Sequence, residues 1–127
     1  MKLDTNRVST KITISDNGMV HMSITVQMRD FEIAQLFGVF QQNIKSNIRA
    51  ILKSGVVTAS YEHGATQQGN TILPDYYDLE MITALAFRVR SPKANMFRRW
   101  IMKRLSNNRL DKQQHVFIQL SNNSTLN

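Results

Sequence analysis

The chain has 127 residues, no cysteine, 42% hydrophobic residues and a formal net charge of +7. That length suits one domain with a real core, the missing thiols exclude disulfides and thiolate metal sites, and no apolar run approaches the ~18 residues of a membrane-spanning helix. The basic balance, with a sequence pI near 10.2, favours a polyanionic partner without identifying it; the opening MKLDTNRVST has no apolar core of a secretory signal, so a cytoplasmic protein is expected.

Residues 1–10 are polar and read as a flexible N-terminus. Residues 11–27 alternate and read as a β-hairpin, with Ile12 and Ile14 on one face and Val20, Met22, Ile24 and Val26 on the matching one. A two-residue Asn17-Gly18 loop would set Ile14 opposite His21 and mix the faces. A three-residue loop, Asp16 to Gly18 with Gly18 left-handed, sets Ile14 opposite Val20 and Ile12 opposite Met22, and is the expected turn. The apolar face must then pack on helices or on a second copy of the chain.

Residues 30–55 read as two helices joined at Gly38. Asp30 is the expected cap of the first, with Glu32 in its opening turn. Ile33, Ala34, Leu36 and Phe37 share one side of that helix. Phe40, Ile44, Ile48, Ile51 and Leu52 recur at helical spacing in the second. Gly38 suits the left-handed backbone just past a helix end, Ala34 permits a close crossing, and Ile44 fills it: the layout of a helix-turn-helix. On the opposite side of the second helix fall Gln42, Lys45, Ser46, Arg49 and Lys53, with the cations spaced i, i+4, i+8 and no acid between Glu32 and Glu62. A recognition helix needs such a face. Gln41, Gln42 and Asn43 stand at its start, where groove readers carry base-contacting side chains, and Lys45, Arg49 and Lys53 suit phosphates. The plain alternative is a helical hairpin with a solvated basic face.

Residues 57–77 read as two strand-like segments, VVTASYEHG and TILPDYY, around an ATQQGN loop. A hairpin directly after a recognition helix is the wing of a winged helix-turn-helix. Its tip, Gly64 to Asn70, has no charge, so contact with DNA there would be by amides. Two helices follow over 78–105. Asp78 is the expected cap of the first, with Glu80 in its first turn and Leu79, Ile82, Leu85, Ala86 and Val89 as its apolar stripe. Ser91-Pro92 breaks it and starts the next, with Pro92 near the first helical position. Phe97, Trp100, Ile101 and Leu105 are expected inside, Trp100 as core rather than as a stacking platform.

From Arg88 to Lys112 the chain has nine of its 16 basic residues and one acid, Asp111. Lys103 is expected to contact DNA, and Arg98, Arg99 and Arg104 mark a possible second basic surface for phosphates or an acidic partner. Either arginine of the Arg98-Arg99 pair could instead be structural, pairing with Asp75, Asp78 or Glu80. Residues 107–127 form a polar tail with one alternating patch, HVFIQL at 115–120, that suits a strand.

Chemistry finds few candidates. His21, His63 and His115 lie far apart with no metal-ligand spacing. Gly64 to Gly69 lacks the Gly-Lys-Ser/Thr ending of a P-loop. Asp75 and Asp78 flank two tyrosines, but capping accounts for Asp78. No cofactor, metal or small-molecule substrate is expected.

Two blocks, IAQLFGVFQQNIKSNIRAIL and YYDLEMITALAFRVRSPKANMFRRWIMKRL, resemble the RhuM family of bacterial virulence-associated and mobile-element proteins. The first block matches at Ile33, Ala34, Leu36, Phe37, Gly38, Val39 and Ile44. The second matches at Tyr77, Asp78, Leu79, Ile82, Phe87, Arg88, Val89, Phe97, Arg98, Arg99 and Trp100. The likeness spans roughly residues 26–105, and the second block is also similar to the N-terminal domains of phage antirepressor-like proteins. It implies DNA binding in a phage or mobile-element setting. Phe40 departs from the pattern, which has a small polar residue opening the recognition helix, and the N-terminal hairpin lies outside it.

The expectation is therefore an α+β, winged helix-turn-helix-like domain over 11–106, with an N-terminal β-hairpin and two C-terminal helices. It would bind duplex DNA as a homodimer, as a transcriptional regulator without catalysis. The alternatives are an adaptor whose basic C-terminal helix binds an acidic protein, and a hydrolase with a site near Tyr76 to Asp78.

Overall fold

The computed structural model describes residues 10–107. They form an α+β fold of four helices and two small antiparallel sheets. Strands β1 (Ile12–Ile14) and β2 (Val20–Met22) make the first sheet, followed by helices α1 (Asp30–Phe37) and α2 (Gln41–Ser54). Strands β3 (Ala65–Gln68) and β4 (Thr71–Pro74) make the second, followed by α3 (Leu79–Ala86) and α4, residues 92–107. The HVFIQL patch lies outside the described residues. Among them, no helix is long and apolar enough to cross a membrane.

The first hairpin has the register that its apolar face demands. Ile12 pairs with Met22 and Ile14 with Val20, around a turn in which Gly18 N–H donates to Ser15 O at 3.0 Å and Gly18 has φ 86°. Its apolar face lies on the helices: Ile12 is buried, and Ile14, Val20 and Met22 pack against the core. Lys93 clamps the hairpin to α4, donating to Ile14 O at 2.9 Å and pairing with Asp16 at 3.0 Å. The alternation stops earlier than expected. Pairing ends at Met22, so Ile24 is fully exposed while Val26 returns to the core. Met28 then bonds Tyr77 through both backbone groups, at 3.0 and 2.8 Å, tying the approach to α1 to the approach to α3.

Asp30 does not cap helix α1 as expected. Arg29 occupies the cap position with extended backbone, its N–H donating to Glu32 Oε1 at 2.9 Å. Asp30 is the first helical residue, where its charge still meets the positive end of the helix. The helix ends as expected. Gly38 is left-handed (φ 67°, ψ 39°), Val39 N–H reaches Ala34 O at 3.0 Å and Gly38 N–H reaches Gln35 O at 3.3 Å, the paired bonds of a Schellman stop. A Cβ at Gly38 would meet nothing within 4 Å, so backbone conformation alone calls for glycine there.

Ile33, Phe37, Ile44, Ile48, Ile51, Ile82, Leu85 and Phe97 form one buried core. Each such side chain contributes on the order of 1.5–3 kcal/mol on burial. Phe97 brings α4 onto the pair of helices, its ring centroid 5.9 Å from that of Phe37. Asp78 caps α3, accepting from Met81 N–H at 3.2 Å. Ser91 Oγ accepts from Ala94 N–H at 3.1 Å, with Pro92 opening α4. Three expected core positions face solvent instead: Phe40 (88% exposed), Leu79 (38%) and Leu105 (58%). Phe40 precedes the helix on extended backbone, so helical spacing does not govern it. Met81 takes the buried place in the first turn of α3, and Leu105 lies beyond the part of α4 that meets other elements.

Candidate nucleic-acid interface

Helix α2 is gripped on one side and free on the other. Ile44, Ile48 and Ile51 anchor it. Gln42, Ser46, Arg49 and Lys53 are exposed, and Lys45 is half-buried. Among the described residues, neither of the ion pairs involves Lys45, Arg49 or Lys53, so none of the three charges is neutralised by a paired carboxylate there. Two acids are tied to cations outside this row, Glu32 to Lys11 at 2.6 Å and Asp16 to Lys93 at 3.0 Å, while the Asp30 carboxylate bonds Gln41 at the start of α2.

The amides at the start of α2 are oriented by partners of known polarity. Gln41 Nε2 donates to Asp30 Oδ1 at 3.1 Å. A carboxylate only accepts, so the Gln41 carbonyl and one amide hydrogen are left outward. Asn43 is set by a longer chain. Arg88 Nε donates to Asn47 Oδ1 at 3.1 Å, and Asn47 Nδ2 donates to Asn43 Oδ1 at 2.8 Å. Arginine has no acceptor, so the chain runs in one sense and leaves the Asn43 amino group as a donor. Gln42 has no such tie. The Asn43–Asn47 spacing was legible as an i, i+4 pair; the contribution of Arg88, from the end of α3, had no signal in sequence.

The second hairpin is shorter and later than the sequence suggested. ATQQ, expected as loop, is strand β3, and residues 57–64 lie in no strand. The turn is Gly69-Asn70 between Gln68 and Thr71, with Gly69 at φ 64°. At its base Gly64 has φ 108°, a backbone conformation that favours glycine, and a Cβ there would also crowd the Asp75 carboxylate. Asp75 also accepts from Thr66 Oγ1 at 2.6 Å and Gly64 O accepts from Asp75 N–H at 3.0 Å. Thr66, Gln67, Asn70 and Thr71 are exposed. Leu73 is buried, but outside the main core.

The cations of α4 are used differently from those of α2. Arg98 Nη1 donates to Ala86 O at 2.6 Å and Val89 O at 2.9 Å, closing the carbonyl end of α3. It has a structural task, though with backbone carbonyls and none of the acids considered from sequence. Arg104 lies over Trp100 at 4.9 Å, and Trp100 stacks on Phe97 with centroids 5.9 Å apart, half-buried rather than fully inside. Arg99 and Lys103 remain exposed.

A cleft of about 200 Å³ lies between the segment before α1, the segment after α2 and the start of α3, and Glu62, His63, Tyr76, Tyr77 and Asp78 are among its lining residues. His63 is bonded to Gln27 and meets the Tyr76 ring edge-on. Arg29 donates to the Tyr76 hydroxyl at 3.0 Å and lies over its ring. The Tyr77 hydroxyl is pushed up to about 12, first by burial and then by the negative charge of Asp30, with Arg49 acting in the opposite sense. Among the described residues, no group of three or more His, Cys, Asp or Glu side chains is placed to hold a metal ion. Comparison with family models, curated proteins and solved structures finds no match for this chain.

Proposed function

We propose that this protein binds duplex DNA as a winged helix-turn-helix, with α2 in the major groove and the β3–β4 hairpin as an uncharged wing. The observation that carries the reading is the outward face of α2. Lys45, Arg49 and Lys53 line it with no acid partner among the described residues, beside Gln41, Gln42 and Asn43 at the end of the helix that groove readers use. In this reading the cations hold phosphates, Gln42 and Ser46 face base edges, and Gln41 and Asn43 present the groups that Asp30 and the Asn47–Arg88 chain leave free. Lys103 contacts the flanking backbone.

One recognition helix per chain reads few base pairs, so the protein works as a homodimer on paired half-sites. The RhuM-like blocks support a regulator derived from a phage or mobile element, acting on DNA without catalysis. The test is retention on random duplex DNA across a salt titration, followed by selection of bound sequences. Retention that falls steeply with salt, and a selected consensus, are expected. The absence of retention at low salt, or retention unaffected by removing all three α2 cations, overturns the reading; the first outcome favours the adaptor, and the second moves the DNA interface to the basic helix α4.

A further inference from the structure

Phe40, at the cap of α2, has a side chain with no task in the fold that accounts for a large apolar ring. It holds the cap position, where Ser, Thr, Asp or Asn would supply an oxygen to the first turn, and it makes no side-chain cap bond. Its backbone does the structural work alone: Phe40 O accepts from Asn43 N–H at 3.0 Å and from Ile44 N–H at 3.4 Å. The ring is 88% exposed although it lies four residues before the buried Ile44, because the extended cap backbone (φ −69°, ψ 147°) turns it away from the helix's apolar side. A large apolar ring thus stands in water beside Gln41, Gln42 and Asn43, on the helix that carries the free cations.

We infer that Phe40 packs on the 5-methyl group of a thymine in the major groove and makes that base a determinant of the binding site. The inference rests on the DNA reading of α2. Its chemical basis is narrow. Base edges in the major groove present hydrogen-bond donors and acceptors at every pair, and the thymine methyl is their apolar feature; phenylalanine is among the side chains that match it. The cations and amides of the same helix attract and orient the duplex, and leave the ring an apolar task. The oxygen that a Ser, Thr, Asp or Asn cap would supply is given up for a base contact.

The test uses the full chain and its selected duplex site. Each thymine is replaced singly by deoxyuridine, which keeps the pairing and removes only the methyl. Wild-type protein should lose affinity about four-fold at one or two adjacent positions, the size expected for one buried methyl group. Phe40→Ala should lose that response there alone, and Phe40→Leu should keep part of it, both with an unchanged salt slope and an unchanged melt. A flat uridine scan with intact salt-sensitive binding overturns the role of Phe40 and leaves the DNA reading standing. So does a Phe40→Ala protein that still responds to the same uridine. If Phe40→Ala lowers the mass of DNA-free protein in light scattering, the ring covers a second copy of the chain and the inference is wrong. If no salt-sensitive binding exists at all, the DNA reading itself has failed.

Discussion

The two basic helices of this protein look alike in sequence and are spent differently in the fold. On α4, Arg98 closes the end of α3 through Ala86 O and Val89 O, and Arg104 covers Trp100. On α2, Lys45, Arg49 and Lys53 have no acid partner among the described residues. A count of cations therefore overstates the surface open to a polyanion. The difference arises from the surroundings of each helix: α4 carries its own half-buried indole, Trp100, and lies against Ala86 O and Val89 O, whereas the buried residues of α2 are all isoleucines.

The sharpest way to break this comparison is Arg98→Ala. Two carbonyl bonds from a charged donor would be lost, so unfolding in urea should show a loss of about 1.5–3 kcal/mol, while the salt slope of DNA binding by the folded fraction stays put. Equal stability with a reduced slope would place Arg98 on the DNA and erase the distinction. Gly38→Val should come next, costing ~1–3 kcal/mol because a β-branched residue resists φ of +67°. A thermal melt checks it, and an unchanged midpoint would mean that the turn tolerates another backbone path.

The face of α2 can then be sharpened. Gln42→Ala should lower discrimination for the best site by ~1–3 kcal/mol with the salt slope nearly kept, as read by competition between selected and scrambled duplexes. Lys45→Ala and Arg49→Ala should weaken binding to all sequences alike, each reducing the magnitude of the log K against log salt slope by roughly 0.9. Untouched slopes in both would remove α2 as the reader.

The smallest expected effect concerns Glu32. Burial works to raise its pKa, but the Arg29 N–H and the Lys11 ammonium together outweigh burial and hold the carboxyl below its ordinary value. A depressed folded-state pKa contributes stability above the ordinary glutamate range that is lost as pH falls through the folded value. The melting temperature should therefore decline on acidification below pH 4.5, and Glu32→Gln should flatten part of that decline. An identical acid limb in the variant would show that Glu32 carries none of it.

Much of the scaffold was legible in residue order because short-range physics decides it. Positive φ at Gly18 and Gly38, the Asp78 and Ser91 caps, Pro92 at a helix start and the register that keeps Ile12 and Ile14 on one apolar face are all local requirements, met within a few residues of each other. The candidate site was legible only as a face: the i, i+4, i+8 cations and the run Gln41 to Asn43 follow from helical period alone. What the tertiary structure decided was which of those groups are already occupied. Asp30 takes one hydrogen of Gln41, Arg88 sets Asn43 through Asn47, Arg98 is consumed by α3, and Phe40 and Ile24 end up in water where periodicity had placed them inside. Two physical reasons account for these. Pattern gives the direction in which a side chain leaves its own element, whereas its partners come from other elements, here 11, 12 and 41 residues away, and the pattern itself lapses where a cap or a strand end breaks the period.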